Sequence, residues 1–426
     1  MNQPRSGGLG LSRRWSPKTR VNLGGTEDGG YIVIHSDMRF SELLELLADT
    51  GHESFLLTGG SPGREVLCAP SLVGRVMSST FDARRGNALG WIGVDAIKKG
   101  PVDPIFNNFG GEERLWFGPE GSQFGLHFAR WPQNLTNYRV QPAVSSQAYQ
   151  VTQISQDRDF LVMEARIELT NLAGTDFKLN VRRTIRMVES CPYSLGGGRR
   201  VESFGFQSET LVTNVSEFPI RKETGLICCW TLGQHPNIDG CFVVLPFKPG
   251  SVQRLGKPIR LDYCKDLCPG GIFPRARWSL GKNRALFQSD GKCRTKLAVS
   301  PARAVCRLGS VNFDGDELII NDFDCYPELP YVAPYWRHLS AEEILDGEAL
   351  SCYIDGPDEF GQRDGNFYEL ETLSPALPLQ PRESFLHRNR VLHIRGSQAS
   401  IESIATRFLH VGRADVAAFM QDRTLD

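Results

Sequence analysis

The 426-residue chain reads as an all-β protein, a large antiparallel sandwich with a few peripheral helices. Three observations lead there. Leu161, Met163, Ala165, Ile167 and Leu169 alternate with mostly polar neighbours. Phe177, Leu179, Val181, Ile185 and Met187 keep the same parity after the connecting stretch NLAGTD. Successive side chains on a strand point to opposite faces, so this is a long hairpin with one buried face, interrupted only by Arg183. Helical periodicity nearly vanishes beyond residue 51, and no strand–helix–strand alternation replaces it. No self-similarity appears at a period of about 20–50 residues, which sets aside propellers and solenoids.

The remaining elements follow in order. Residues 1–37 are rich in Gly, Arg and Ser and show little core periodicity, so they read as a flexible extension, with 38–426 as one β unit. Phe40, Leu43, Leu44 and Leu47 have helical spacing, with Asp37 as a cap and Gly51 as a stop. Strand-like runs then recur: LVTNV, GLICCWTL, CFVVLPF, AVCRLGSV, ELIIND, LSCYI, NFYELETL and RVLHIRG, punctuated by Gly, Pro, Asn and Asp. Two helices return late. SAEEIL carries a capping box, Ser340 with Glu343, and Ile401, Ile404, Ala405 and Phe408 mark a C-terminal helix.

Composition excludes several classes. A formal net charge of −1 leaves no basic stripe for nucleic acid. No apolar run approaches the length needed to cross a bilayer, and no signal-peptide core opens the chain, so the expectation is a cytoplasmic protein without membrane partners. Eleven scattered cysteines read as free thiols, and the Cys264/Cys268 spacing lacks a second ligand pair for zinc. No phosphate-binding Gly loop, HExxH helix or GxSxG elbow is present, so no cofactor and no metal are expected.

Two segments carry the candidate chemistry. Residues 106–128, FNNFGGEERLWFGPEGSQFGLHF, concentrate Glu112, Glu113, Arg114, Trp116, Glu120, Gln123 and His127 among glycines. A sugar site needs that mixture: aromatic faces for the apolar side of a ring, charged and amide groups for its hydroxyls. The same residues also suit a structural loop with Arg114 salt-bridged to a glutamate. In NFYELETL, Glu369 and Glu371 share one strand face and Tyr368 and Leu370 the other, so the carboxylates are expected on an accessible face opposite the core. A strand-borne carboxylate is rigidly placed, as a general base requires. Arg75 is a further cationic contact or a structural pair at a strand end. His387 and His393 are acids or satisfied structural histidines. Trp91, Tyr335 and Trp336 are stacking faces or core.

The string GGEERLWFGPEGSQF resembles an uncharacterised bacterial family with a galactose-mutarotase-like supersandwich fold, whose members carry GGE-R-W-GPEGGQF here. LVGRVMSST with GWIG, DGKCRTKLAV and ELETLSPALPLQPRESFLHRNR resemble it too. The wider mutarotase-like group implies a mechanism: a late-strand glutamate, in a context like LETQ, takes the anomeric hydroxyl proton while a mid-chain histidine protonates the ring oxygen. ELETLSP resembles that context, which makes Glu371 the base and Glu369 the runner-up. WTLGQHP places His235 in the histidine's region, although the HxYWNL-like context is absent, and His387 is the second candidate acid. Arg75, Glu113, Arg114, Trp116, Glu120, Gln123 and Glu369 would hold the sugar. The expected function is thus metal-independent acid/base chemistry on a small sugar or oligosaccharide, like that of an aldose 1-epimerase. The alternatives are glycoside cleavage by paired carboxylates such as Glu120 and Glu371, and a non-catalytic carbohydrate-binding module.

Overall fold

The hairpin foreseen in the alternating pattern forms as one continuous antiparallel ladder. Phe160–Thr170 pairs with Asp176–Val188 from Phe160↔Arg186 to Thr170↔Asp176, and the alternating apolar residues of the second strand are buried while their neighbours face water. Arg183 keeps the buried parity instead of breaking it: its guanidinium is fully enclosed and ion-paired with Glu113. The computed structural model describes residues 38–59, 62–103, 105–189, 201–263, 277–357, 361 and 363–422. The extension 1–37, the cap Asp37 and the pair Cys264/Cys268 lie outside the described residues.

Among the described residues the strands form three antiparallel sheets. The largest has ten strands, in the order Trp278–Leu280, Arg284–Gln288, Cys241–Pro246, Arg307–Asn312, Glu317–Phe323, Ser384–Gly396, Val201–Asn214, Asp176–Val188, Phe160–Thr170, Gln150–Ile154. A five-stranded sheet runs Thr295–Val299, Leu350–Ile354, Phe367–Leu373, Cys228–Pro236, Arg114–Gly118. A three-stranded sheet, Phe55–Leu57, Glu65–Ala69 and Arg75–Thr80, carries the helix Phe40–Asp49. All eight strand-like runs became strands, and the large antiparallel all-β architecture is the one the sequence predicted.

The ten- and five-stranded sheets pack face to face. Leu161, Ile185, Phe204, Phe206 and Val391 of the large sheet share one apolar cluster with Leu115, Phe117, Leu297 and Leu370 of the small one. The layer between them also holds polar groups in closed sets. Tyr368 shares a 2.7 Å hydrogen bond with Ser310, and Asn389 Nδ2 donates to Glu113 at 2.9 Å while its Oδ1 accepts from Thr372 at 3.1 Å. The other side of the large sheet is covered by Gln398–Leu409, through Ile401, Ile404, Ala405 and Leu409 on Val244, Val311, Ile320 and Leu392. Coverage on both sides explains why CFVVLP is continuously buried rather than alternating.

Three details differ from expectation. In the first helix Leu46 is buried and Leu44 only partly so, because the helix begins at Phe40 with Glu42 accepting from the Arg39 backbone N–H at 3.0 Å. The Ser340–Glu343 box forms in both directions, at 2.8 and 3.2 Å, but caps only the 3₁₀ turn Glu343–Leu345. Cysteines are not all free. The pairing Arg307↔Asp322 brings Cys306 and Cys325 to a Cα separation of 5.5 Å, and they form a disulfide. Among the described residues, no helix is long and apolar enough to cross a membrane.

Candidate functional site

Strand register decides which side chains meet on the five-stranded sheet. Glu369 lies opposite Gln234 and Tyr353, and Glu371 opposite Leu232 and Ser351. Trp116 lies opposite Trp230, and Lys296 opposite Tyr353. Paired residues project to the same side. Arg114, Trp116, Trp230, Gln234, Lys296, Ser351, Glu369 and Glu371 therefore line one face, turned away from the large sheet that Tyr368 touches.

This face is a charged floor within an aromatic wall. Glu371 is fully buried, and its Oε2 accepts from Trp230 Nε1 at 2.8 Å, Lys296 Nζ at 2.8 Å and Ser351 Oγ at 2.9 Å. Glu369 Oε1 accepts from Arg114 at 3.0 Å and Gln234 Nε2 at 2.9 Å. Burial raises Glu369 to about 7; Arg114 opposes the rise and Glu371 adds to it. Burial alone would lower the Lys296 ammonium, but Glu371, Glu120 and Glu348 together raise it. That ammonium also sits 4.8 Å from the Trp230 ring and 4.4 Å from the Tyr263 ring, and the Arg114 guanidinium 4.4 Å from Trp116.

The GPEG loop closes the wall. Glu120 accepts from Tyr138 OH at 2.9 Å, from Trp336 Nε1 at 3.2 Å and from Tyr263. Burial raises its pKa against those donors and Lys296. The segment bearing Tyr335 and Trp336 approaches so closely that a Cβ on Gly121 would lie 2.5 Å from the Tyr335 carbonyl oxygen, so only glycine fits there. His127 stacks on Trp116 with centroids 4.9 Å apart. Its Nε2 lies 2.9 Å from the Phe117 carbonyl, which can only accept, so Nε2 carries the proton and Nδ1 is an acceptor.

Five buried polar atoms in this region have no protein partner: Glu371 Oε1, Gln234 Oε1, His127 Nδ1, Arg114 Nε and Trp116 Nε1. The first three accept hydrogen bonds and the last two donate. Buried polar atoms are ordinarily satisfied, so this cluster of mixed donors and acceptors among aromatic rings is left with unused bonding capacity.

The structure gathers Arg114, Trp116, Glu120, Glu369 and Glu371 at this face and sends the other expected residues elsewhere. Glu369 and Glu371 do lie opposite Tyr368 and Leu370, but in the protein alone they are covered rather than accessible. His235 pairs with Tyr368, so it faces the inter-sheet layer, where it neighbours His393 and Tyr368. It cannot act with Glu371, because the sheet stands between them. His387 lies on the inner face of the large sheet opposite Thr210. Glu113 faces the same layer and is ion-paired to Arg183. Arg75 is fully buried, with Nε and Nη1 donating to the carbonyls of Leu72 and Gly110 at 2.7 and 2.6 Å. Gln123 uses both amide atoms on the Leu339 backbone, at 2.8 and 3.0 Å, and so clasps two loops together. Sequence reasoning did not single out Lys296, Trp230, Gln234, Tyr138 or Tyr263. Lys296 falls within DGKCRTKLAV, a string quoted for the family resemblance, and Trp230 within the strand-like run GLICCWTL.

The buried histidines make stability depend on pH. Burial lowers His127, His235 and His387 each to about 4. The unfolded chain protonates them below about 6.5, the folded chain only near 4. The unfolded state thus binds more protons in that interval, and the stabilisation present above pH 6.5 is lost as pH falls toward 4. Each group contributes about 3 kcal/mol at most. Buried Glu369, Glu348 and Asp355, raised to about 7, act with the opposite sign over the same interval, so the test is site by site: NMR of the imidazole resonances should show these three rings still neutral at pH 5, and rings that charge near pH 6.5 in the folded protein would remove the effect.

A family model described as "Family of unknown function (DUF6786)" matches residues 38–420, and the chain belongs to that family. No curated protein matches it. Among solved structures it is similar to the Slr1438 protein of Synechocystis sp. PCC 6803, at 12% identity and a TM-score of 0.47, covering 81% of this chain and 96% of the other. It is also similar to a galactose mutarotase related enzyme of Lactobacillus acidophilus, at 8% identity and a TM-score of 0.41, covering 81% and 97%.

Proposed function

From membership in a family whose description assigns no activity, we propose that the chain binds a sugar on the outer face of its five-stranded sheet and interconverts its anomers by acid/base catalysis. The five unpartnered donor and acceptor atoms among aromatic rings carry this reading. A hydroxyl both donates and accepts, so a polyol is the ligand class that satisfies such a mixed set.

The two strand-borne carboxylates have environments that divide the labour. Glu371 has one oxygen fixed by three donors and the other free to accept a proton. Glu369 retains its proton close to neutrality. In the proposed step Glu371 takes the proton of the anomeric hydroxyl, and its O–H electrons form the aldehyde C=O. The bond from the anomeric carbon to the ring oxygen breaks, and Glu369 protonates that oxygen. Rotation about the C1–C2 bond of the open-chain aldehyde, followed by the reverse transfers, closes the other anomer. Glu369 takes the place that sequence reasoning gave to a histidine.

A thermal-shift series against free hexoses, pentoses, uronic acids and sugar phosphates tests the binding half. A sugar at about 100 times its Kd adds about 2.7 kcal/mol, a visible rise in Tm. A cooperative melt that no sugar moves would remove the proposal.

A further inference from the structure

We infer that the loop 128–138 holds a second sugar-binding position at the mouth of the site, so that the substrate is an oligosaccharide of at least two rings. The inference rests on the sugar reading above and extends it outward. Trp131, at the tip of this loop, is 43% exposed, which leaves part of a large apolar ring in water. Its ring stacks on His338 at 6.3 Å and 28°, so one face is supported while much of the side chain stays open.

The loop is built to hold that ring still. Gln133 is buried and bonds Ser122 twice, its Nε2 to the carbonyl at 2.6 Å and its Oε1 from the N–H at 3.0 Å. Asn137 Nδ2 donates to the Pro132 carbonyl at 2.8 Å, and Asn137 Oδ1 accepts from Arg130 Nε at 3.1 Å. Ala129 N–H donates to the Asn137 carbonyl at 2.9 Å, which closes the base of the loop. A rigid aromatic platform loses little entropy when a ligand settles on it.

The platform is continuous with the site. At the base of the loop Phe128 and Tyr138 meet at 5.3 Å, and both pack on Trp336, at 5.0 and 5.8 Å. Tyr138 also bonds Glu120 and lies 6.2 Å from His127, which stacks on Trp116. His338 follows Trp336 by two residues. Aromatic contacts therefore run from the carboxylate floor to Phe128, Tyr138 and Trp336 at the base of the loop that carries Trp131. The loop around the platform exposes Arg130, Asn134 and Leu135, and Arg337 is exposed next to His338, so polar groups for hydroxyls lie beside apolar surface for C–H groups.

Calorimetric titration of the full chain with glucose, maltose, maltotriose, cellobiose, cellotriose, galactose and lactose tests this, on wild type, Trp131→Ala and Trp131→Phe. A di- or trisaccharide is expected to bind about tenfold more tightly than its own monosaccharide. Trp131→Ala should erase most of that gain, Trp131→Phe should keep part of it, and monosaccharide affinity should stay within about twofold. If monosaccharides bind but length brings no gain, or the gain survives Trp131→Ala, the second position is overturned while the sugar site stands. If no sugar binds a cooperatively melting wild type, the parent reading falls and this inference with it.

Discussion

Glu371→Gln lowers the rate of anomer exchange by about 10²- to 10⁴-fold, the range by which a positioned acid or base accelerates a proton transfer. The substitution keeps the shape of the side chain and one carbonyl oxygen that Trp230, Ser351 and Lys296 can still address. It does not strand the Lys296 ammonium, because Glu120 and Glu348 remain around it. Loss of rate should therefore appear without loss of folding, and sugar affinity should change by no more than a few-fold. Glu369→Gln separates the two roles. With Glu369 near 7, wild-type kcat/KM falls as pH rises through neutrality and the proton is lost; in Glu369→Gln the slow residual rate should no longer show that limb. Exchange spectroscopy by NMR on the identified sugar reads both. A folded Glu371→Gln that exchanges anomers at the wild-type rate would remove this carboxylate from the chemistry and leave a binding protein.

The parity of a strand is readable in the sequence; the register between strands is not. ELETL announced two carboxylates on one face because alternation is local, and Leu161 to Met187 announced a buried face for the same reason. Whether His235 shares that face with Glu371 depends on its pairing with Tyr368 across two distant strands, and a shift of one residue would have reversed the answer. Lys296 reads as an ordinary surface charge until the sheet order sets Thr295–Val299 beside Leu350–Ile354 and two strands from Glu371. Arg75 and Glu113 lie in motif-rich segments, yet their partners are a loop carbonyl and an arginine of the large sheet. Motif density pointed to a region; only three-dimensional pairing separated the groups on the outer face of the five-stranded sheet from those buried between the sheets.

The Arg183–Glu113 pair explains the one charged residue in the buried phase of the long hairpin, and it predicts the largest loss of stability. Arg183 is wholly enclosed, its Nη1 on the Gly74 carbonyl and its Nη2 on Glu113, while Glu113 also accepts from Ser208 and Asn389. Burial lowers the arginine to about 10, still far above neutrality, so its guanidinium stays charged under ordinary conditions. Removing one member leaves the other charge buried without compensation, which costs about 3–5 kcal/mol. Against a total stability of about 5–15 kcal/mol, Arg183→Met should sharply lower the urea midpoint or prevent folding altogether. Replacing both partners by apolar groups removes the stranded charge. The double variant Arg183→Met/Glu113→Leu should therefore be more stable than Arg183→Met alone by about 1–3 kcal/mol, the coupling expected of residues in one buried network. Ser208 and Asn389 would still lose an acceptor, so recovery should fall short of wild type. Strict additivity of the two single substitutions would mean that the two charges do not support each other, and that Arg183 is tolerated between the sheets for its carbonyl contact alone.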